Sequence, residues 1–572
     1  HIKILKIPQL VGPGTIEKRE ILPSFILMHE KNDAMDKLLN LPWDDEIHYT
    51  VGEYARDRGA EIPGRMISSS KSWLCNTMID RNKPVLPWGG ENKEAKLSPV
   101  EASAAILRHV RDAWNNIIAG GDEKLLIQNQ EIFLTVPASF DAVARELTVK
   151  SASLAGLPKV TLLEEPQAAF YAWIESSGVQ WRDSVKEGDL VLVCDIGGGT
   201  SDFSLINVSD NDGELLLERI AVGDHLLVGG DNMDLALAYS VSRRMAEKGT
   251  KLDSWQMRGL WHSCRRAKEN VLSDPEKNNY PVTILGRGSS LIGGTIKTEL
   301  SMNDVQKLIL DGFFPKCELT AEPITNQKTG LKEIGLSYEA DPAITHHLAS
   351  FLGRQKIDGE NYRLPNAVLF NGGVMKADPI RERIKEILSS WTGQEISTSI
   401  KEIETKDFDL SVARGAVYCG LAGRGEGIRI RSGLGKSYYI GIAASIPAVP
   451  GMPAPTRALC VAPFGMEEGT KAKLENQEFI IVVGEPVKFD FLGSSLRTED
   501  SLGTVVDDWE DEINEIATIE TTLDGDYGSV IPVNLEIDIT EVGTLELWCV
   551  AREDERRWKL EFNVREKENL GS

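Results

Sequence analysis

The chain has 572 residues, which is more than one hydrophobic core usually organises and predicts about two to four domains. Its formal net charge is −24, and the acidic residues are spread along the whole sequence. Because no basic stripe is present to neutralise a phosphate backbone, we expect no nucleic-acid partner.

Seven cysteines stand far apart without a C-x-x-C pair, which favours reduced thiols and a cytoplasmic location. No window approaches the roughly 20 apolar residues that cross a bilayer, and the N-terminal residues lack the pattern of a signal peptide. We therefore expect a soluble cytoplasmic protein with no membrane partner. The chain begins at His1 instead of methionine, which leaves open a tag remnant, processing or a missing beginning.

From His1 to about residue 425, short strand-like runs alternate with helical ones, as is typical of α/β proteins. The clearest helix signal begins at Ser98, a predicted N-cap that is followed by Pro99 and, three residues on, by Glu101. Apolar residues then recur at helical spacing until Gly120, which is expected to end the helix.

The same alternation continues along the chain. A strand is predicted over residues 131–140, followed by a helix that begins at Asp141 and ends at Gly156. A second buried strand, 366–370, is followed by a helix over 380–393 whose apolar residues share one face.

After a glycine-rich, basic stretch at residues 421–437, the apolar period changes to two. Leu535, Ile537 and Ile539, for example, fall on one side of their strand. Successive strands with short polar turns predict an antiparallel sandwich of about 130 residues, with a domain boundary near residue 430.

The strongest ligand signal is the turn in residues 190–208, LVLVCDIGGGTSDFSLINV. Its adjacent glycines, Gly197, Gly198 and Gly199, permit positive φ and let backbone N–H groups approach an anion such as phosphate. The spacing fits neither a dinucleotide fingerprint nor a P-loop, both of which lead into a helix, whereas strand-like alternation resumes here. We predict a β-hairpin phosphate loop; an ordinary glycine-rich hairpin is the alternative.

Two carboxylates flank this turn. Asp195 ends the first strand and Asp202 follows the turn, so hydrated Mg²⁺ could join both to phosphate oxygens, and Thr200 adds a hydroxyl. If the hairpin binds no anion, the two aspartates are solvated caps.

Five ordered segments resemble the ATPase domain of actin-like ATPases and, among them, of the seventy-kilodalton heat-shock chaperone family. These segments are FLTVPASFDAVARELTVKSASLAGLPKVTLLEEPQAAFYAW, VCDIGGGTSDFSL, VGGDNMDLAL, CRRAKENVLS and LFNGGVMKADPIRERI. The β-rich end is similar in placement and size to that family's peptide-binding sandwich.

The resemblance implies a fold and a domain order. We expect an α/β actin-like, two-lobed ATPase domain followed by an antiparallel β-sandwich. The expected bounds are 1–425 for the nucleotide-binding domain (lobe I about 1–188, lobe II about 189–400), 426–437 for a linker, 438–566 for the sandwich and 567–572 for a tail.

Family roles carry over to individual residues. The loop glycines and Thr200 match the second phosphate loop, and Glu165, Asp195 and Asp202 match acids that hold Mg²⁺, mostly through water. Lys71 falls where the family keeps a lysine near the γ-phosphate, although a solvated lysine is the alternative. The catalytic set implied by the resemblance is Lys71, Glu165, Asp195, Thr200 and Asp202.

A second group matches positions that hold the adenosine. Its members are Lys268, Gly372, Gly373, Lys376 and Asp409. The alternatives are an exposed helical lysine at 268, a plain turn at the two glycines and a helix cap at 409.

Pro137 and Arg145 resemble a pair that relays nucleotide state between domains. A strand-end proline and a helix-surface arginine are the alternative interpretation.

The sequence also departs from the family. Residues 1–190 contain no D-x-G-T hairpin, the family's first phosphate loop, so we expect that the natural beginning is missing; a natural protein without that half of the phosphate clamp is the alternative. Arg265 and Glu269 replace an acid and a base, Val374 replaces a serine and Lys376 replaces an arginine, which puts nucleotide affinity or base preference in doubt.

The linker between the two expected domains and the end of the chain also differ from the family. GEGIRIRSGLGKSYY stands where the family has an acid-flanked leucine run, and few residues follow Val564 where a helical lid is expected.

The resemblance implies an ATP-dependent chaperone with weak ATPase activity, in which Mg-ATP or ADP controls the binding of unfolded or extended peptide. A J-domain co-chaperone and a nucleotide-exchange factor are the expected partners. The alternatives are a non-hydrolysing nucleotide-binding adaptor or exchange-factor relative, and a sugar or acetate kinase of the same superfamily.

Overall fold

The structure is a computed structural model of the chain. The residues that it describes are 1–30, 37–44, 48–76, 78–89, 96–178, 181–211, 214–273, 278–284, 296–324, 336, 338–355, 362–392, 400–426, 434, 436–443, 456–466, 470–494, 496–497, 499–510, 512–539, 544–554 and 556–563. Most of the expected linker, and all of the expected tail, lie outside these residues.

The chain divides into two compact units. The first comprises residues 1–206 and 221–428, and the second comprises residues 207–220 and 429–572.

Fourteen strands and twelve helices are described before residue 425. The strands are β1 (Ile7–Gly12), β2 (Thr15–Arg19), β3 (Ile26–Met28), β4 (Tyr49–Val51), β5 (Met66–Ile67), β6 (Phe133–Val136), β7 (Thr161–Glu164), β8 (Leu190–Ile196), β9 (Ser201–Asn211), β10 (Glu214–Val222), β11 (Asn279–Ile284), β12 (Ile296–Ser301), β13 (Ala367–Asn371) and β14 (Lys401–Ile403). The helices are α1 (Glu53–Gly59), α2 (Ser70–Leu74), α3 (Pro99–Trp114), α4 (Ala142–Leu154), α5 (Glu165–Ser177), α6 (Trp181–Ser184), α7 (Gly230–Glu247), α8 (Ser254–Ser273), α9 (Met302–Val305), α10 (Ile344–Gly353), α11 (Asp378–Trp391) and α12 (Ser411–Gly423).

The central sheet has the strand order β10-β9-β8-β13-β14, and β13 runs parallel to both β8 and β14. All five residues of β13 are buried, because a strand inside a covered parallel sheet has apolar neighbours on both faces. The register pairs Asn371 with Asp195 at the carboxyl ends of β13 and β8. Two polar side chains are thereby brought to the same edge of the sheet.

The predicted helices are confirmed. The Ser98 hydroxyl accepts from the Glu101 amide at 3.1 Å, and the Glu101 carboxylate accepts from the Ser98 amide at 2.8 Å, so the capping box is complete. A π-helical turn extends α3 to a left-handed Gly120. The predicted strand at residues 131–140 is shorter, because β6 ends at Val136.

The second unit contains two antiparallel sheets around one core. Their strands are β15 (Ser437–Ala443), β16 (Thr456–Ala462), β17 (Lys471–Val483), β18 (Pro486–Ser494), β19 (Val505–Val506), β20 (Asn514–Thr522), β21 (Ser529–Ile539), β22 (Thr544–Ala551) and β23 (Arg557–Asn563). The sheet orders are β19-β16-β15-β18-β20 and β17-β21-β22-β23.

The core between these sheets confirms the period-two pattern. Leu535, Ile537 and Ile539 are buried, and the rings of Phe491 and Phe562, one from each sheet, stack with centroids 4.5 Å apart. β17 and β18 are adjacent in the chain but join different sheets.

Two further findings concern the cysteines and membrane-spanning helices. All seven cysteines are free, which confirms the expected thiols. Within the part of the chain that the structure describes, no helix is long and apolar enough to span a membrane.

Helices α5 and α12 pack so closely that no side chain fits at one position. A Cβ atom on Gly415 of α12 would lie 1.7 Å from the carbonyl oxygen of Ala168 in α5. Gly423, at the end of the same helix, has no atom within 4 Å of the corresponding position.

We expect Gly415→Ala to destabilise the first unit by about 2–4 kcal/mol, because the two helix backbones must move apart. Gly423→Ala is the matched control and should leave the melting temperature unchanged or slightly raised, since alanine favours helix. Calorimetry of both variants checks this. Equal melting temperatures would contradict the close packing.

Candidate functional site

The glycine turn joins β8 to β9, and the amide of Gly197 donates to the Thr200 carbonyl at 2.9 Å. The predicted hairpin is therefore confirmed. The start of α7 holds the turn from outside: the Gly230 amide donates to the Gly197 carbonyl at 3.1 Å, and the Asp231 amide donates to the Gly198 carbonyl at 2.7 Å.

Unlike these carbonyl groups, most amide groups of the loop have no hydrogen-bond partner in the part of the chain that the structure describes. Within the described residues, the amides of Gly198, Gly199 and Thr200 donate to no protein acceptor, and Gly198 is exposed. Unpaired, consecutive N–H groups form a cradle for an anion. This observation fits a phosphate ligand.

Gly229 makes the contact between the loop and α7 sterically feasible. A Cβ atom on Gly229 would lie 2.8 Å from the carbonyl oxygens of both Gly197 and Gly198. Gly229 lies in the segment VGGDNMDLAL but was not among the predicted site residues. A pair of glycines immediately before a helix is the signal that could have identified it.

The structure brings Lys71 and Glu165 together, although 94 positions separate them. The Lys71 ammonium donates to the Glu165 carboxylate at 2.6 Å; 46% of the Lys71 side chain and 16% of the Glu165 side chain are exposed. Burial alone would lower the pKa of Lys71, but Glu165, Asp202 and Asp195 raise it above its ordinary value. Lys71 is therefore an ion-paired cation beside these acids, not a freely solvated lysine.

Asp195 lies at the end of β8, where the amide of Asn371 donates to it at 2.6 Å and the Ser411 hydroxyl orients Asn371, also at 2.6 Å. Burial and the neighbouring Glu165 carboxylate raise the pKa of Asp195 to about 7, against the opposing effect of the Asn371 hydrogen bond. No sequence pattern indicated Asn371 and Ser411 as site residues, because their contact with Asp195 depends on the parallel pairing of two distant strands.

Asp202 is 7% exposed, so it is not a solvated cap. It contacts the Ser139 hydroxyl and the His225 ring, which sequence analysis did not single out. Burial alone would raise the pKa of Asp202, but His225, Ser139 and Lys71 hold it below its ordinary value. Ser139, Asp202 and His225 lie in three separate segments, and no spacing along the sequence indicates that they meet.

These acids suit a hydrated metal better than a directly ligated one. No three His, Cys, Asp or Glu side chains in the described ranges are placed to hold a metal by themselves. Mg²⁺ keeps several of its waters and binds through few carboxylates plus phosphate. The donor set of Glu165, Asp195 and Asp202 fits that chemistry.

Lys268 is 7% exposed; its ammonium pairs with Asp234 at 2.7 Å and donates to the Gly230 carbonyl at 3.1 Å. The alternative of an exposed helical lysine is therefore wrong. Arg265, one turn earlier in α8, pairs with Asp231 and, at 2.8 Å, with Asp234.

The two predicted glycines differ from each other. Gly372 has φ of 87°, and a Cβ atom there would lie 2.4 Å from the Ile196 carbonyl oxygen. Gly373 has open space around it. Only Gly372 is required by the backbone, since it brings the loop after β13 against the end of β8.

Lys376 and Asp409 form an ion pair with each other. The amides of Asp409 and Leu410 donate to the Asp407 carboxylate at 2.9 and 3.2 Å, just before α12. Asp407 therefore stabilises the turn that leads into α12, whose N-cap residue is Leu410 and has no side-chain capping bond, so the helix-cap interpretation of Asp409 is wrong.

Arg145 is 1% exposed, so the interpretation as a helix-surface arginine is wrong. It donates to the carbonyls of Pro137 and Ala138 at 3.3 and 3.2 Å and to the Glu164 carboxylate at 3.0 Å. The side chain therefore ties the segment after β6 to the residue that precedes Glu165.

Comparison with known proteins identifies relatives of this chain. A sequence model of the family described as Hsp70 protein matches residues 18–328, more than half of the chain. The chaperone protein HscA of Salmonella arizonae is 34% identical over 240 residues, which cover 40% of this chain and 37% of that protein. HscA of Salmonella paratyphi C is 33% identical over 344 residues, covering 58% of this chain and 52% of that protein. The chain thus spans about half the length, or less, of these curated relatives.

Replacing Asp195 tests the charge balance of the site. Its raised pKa means that ionised Asp195 destabilises the fold: this contribution is absent below about pH 4, grows as pH rises and levels off above about pH 7. We expect Asp195→Asn, which keeps an acceptor for Asn371, to stabilise the nucleotide-free protein by on the order of 2 kcal/mol at pH 8 and not at pH 4.

Thermal unfolding in the presence of a chelator measures this difference across pH. Asp189→Asn, just before β8, is the control and should not give the same pH-dependent gain. A gain from Asp195→Asn that is independent of pH would contradict the inferred repulsion.

Proposed function

Because the chain belongs to the seventy-kilodalton heat-shock protein family, we propose that it is an ATP-dependent chaperone with weak ATPase activity. The observation that carries this proposal is the meeting of the unpaired amides of residues 198–200 with Lys71, Glu165, Asp195 and Asp202. Phosphoryl transfer requires hydrogen-bond donors to the phosphate, a cation and clustered carboxylates.

In this proposal, two lobes of about residues 1–188 and 189–400 hold ATP or ADP with Mg²⁺. Bound Mg²⁺ would neutralise negative charge on the phosphate oxygens, and Glu165, Asp195 and Asp202 would hold it through water. The loop Gly197–Gly199 and Thr200 would bind phosphate. The residues proposed for the adenosine are Lys268, Gly372, Gly373, Lys376 and Asp409.

The chain's own groups divide the work of hydrolysis. The Lys71 ammonium, fixed by Glu165, stabilises the charge that develops on the transferred phosphoryl group. The Asp202 carboxylate accepts a hydrogen bond from the attacking water, and the Thr200 hydroxyl contacts the same phosphate. Each assignment follows from the chemistry of the side chain and its place around the loop.

We further propose that residues 438–566 bind unfolded or extended peptide and that nucleotide state reaches them through Pro137, Arg145 and the linker 426–437. The buried bonds of Arg145 to Pro137 and to Glu164, the neighbour of Glu165, support this route. A J-domain co-chaperone and a nucleotide-exchange factor in the cytoplasm are the proposed partners.

A non-hydrolysing nucleotide-binding adaptor is the second candidate. The ion pairs of Arg265 with Asp231 and Asp234, and of Lys376 with Asp409, favour it. Both cations are already engaged by protein carboxylates, so an adenosine must compete for them. Tight binding with negligible turnover is what this candidate predicts.

Single-turnover hydrolysis by the full-length protein separates the two candidates. Lys71→Ala should lower the rate by about 100-fold or more, because it removes the cation from the transferred phosphate, and should leave ATP affinity within about tenfold. Lys83→Ala is the control, since Lys83 is 73% exposed and pairs only with Asp80 at the surface among its described contacts. A wild-type rate equal to that of Lys71→Ala would reject the ATPase and favour the adaptor.

Measuring peptide release tests the proposed control of peptide binding by nucleotide. ATP should accelerate dissociation of a fluorescent apolar peptide from the full-length protein by about tenfold, which is a typical allosteric coupling. The acceleration should persist in Lys71→Ala if binding alone drives it. Peptide affinity that does not respond to nucleotide would reject the proposed coupling.

A further inference from the structure

Ser139, Asp202 and His225 come from three separate segments of the first unit and meet beside the phosphate loop. Nδ1 of His225 lies 3.1 Å from the Ser139 hydroxyl oxygen and 3.2 Å from Oδ1 of Asp202, and the Ser139 hydroxyl also contacts Oδ1. The His225 side chain is 11% exposed and that of Asp202 is 9% exposed. The cluster is therefore largely shielded from solvent.

The hydrogen positions follow from counting protons. Ser139 has one hydroxyl proton, which it gives to the carboxylate, so its oxygen can only accept from the ring. Nδ1 of His225 must then carry a hydrogen, which it shares between Ser139 and Asp202. Both donors thus converge on one oxygen, Oδ1.

This arrangement leaves the other oxygen of Asp202 distinct. No donor within the described residues contacts Oδ2, while two donors fix Oδ1 and with it the plane of the carboxylate. An acceptor whose orientation is set before the ligand arrives needs no reorganisation during reaction.

The other ring nitrogen of His225 has no such function. Nε2 is buried and has no hydrogen-bond partner among the described residues. Packing holds the ring instead: it meets Phe140 edge to face, with centroids 5.6 Å apart, and Lys71 lies 6.0 Å from the centre of the same Phe140 ring. His225 therefore forms hydrogen bonds with Ser139 and Asp202 through Nδ1 alone among the described residues.

We propose that Ser139 and His225 are positioning residues that fix Asp202 so that Oδ2 accepts a hydrogen bond from the water attacking the terminal phosphate. This inference rests on the proposed ATPase function. It assigns the two side chains to the rate of the chemical step and not to nucleotide binding, because neither contacts the loop amides or the residues proposed for the adenosine among the hydrogen bonds of the described chain.

The chemistry of the ring supplies a matched pair of variants. The amide nitrogen of asparagine overlays Nδ1 of histidine, whereas that of glutamine reaches the position of Nε2. His225→Asn should keep the donor to Oδ1 and retain the single-turnover rate within about threefold, while His225→Gln should lower it by about 10- to 100-fold. Ser139→Ala should slow hydrolysis, and Ser139→Thr should restore it.

Affinity for ATP, measured by fluorescence titration, should change by less than about threefold in all four variants, and their melting temperatures should stay close to the wild-type value. Equal rates in His225→Asn and His225→Gln, or a loss of ATP affinity that parallels the loss of rate, would overturn the inference while leaving the ATPase proposal intact. Absence of turnover in the wild-type protein would overturn both.

Discussion

Charge repulsion among the carboxylates of Glu165, Asp195 and Asp202 is the constraint on which the site in the first unit depends. Burial and Glu165 raise the pKa of Asp195 to about 7, with Asp202 adding to the effect, and the ammonium of Lys71 offsets only part of this charge. Three elements bring these charges together: the pairing of β13 with β8 places Asp195, the start of α5 places Glu165, and α2 carries Lys71. A site of this kind gains stability from a cation and from anionic oxygens bound to it.

The glycines make that organisation possible because they let main chains touch. Gly229 lets the carbonyls of the glycine loop, residues 197–200, lie against the start of α7, and Gly372 lets the loop after β13 lie against the end of β8. At Gly415 the same freedom brings α12 against α5, the helix that begins with Glu165. In each case a methyl group would displace a backbone segment that bears a proposed ligand-binding group.

Two of the residues at which the sequence is expected to depart from the family, Arg265 and Lys376, have charge partners. Arg265 lies between Asp231 and Asp234, and Lys376 pairs with Asp409. Each of these two cations is therefore balanced by a neighbouring acid and leaves no uncompensated positive charge at the site proposed for the adenosine. These acids become apparent only in the tertiary structure.

The sequence by itself determined what depends on neighbouring residues: the capping box of α3, the period-two strands of the second unit, the glycine hairpin and the ordered motifs that identify the family. Tertiary structure decided which side chains share an environment. It buried Lys268 and Arg145, which local pattern allowed to be exposed, and it paired Asp409 with Lys376 instead of placing it as a helix cap. It also placed Ser139 and His225 on Asp202, because hydrogen bonds and burial depend on distance in space, which spacing along a chain does not specify.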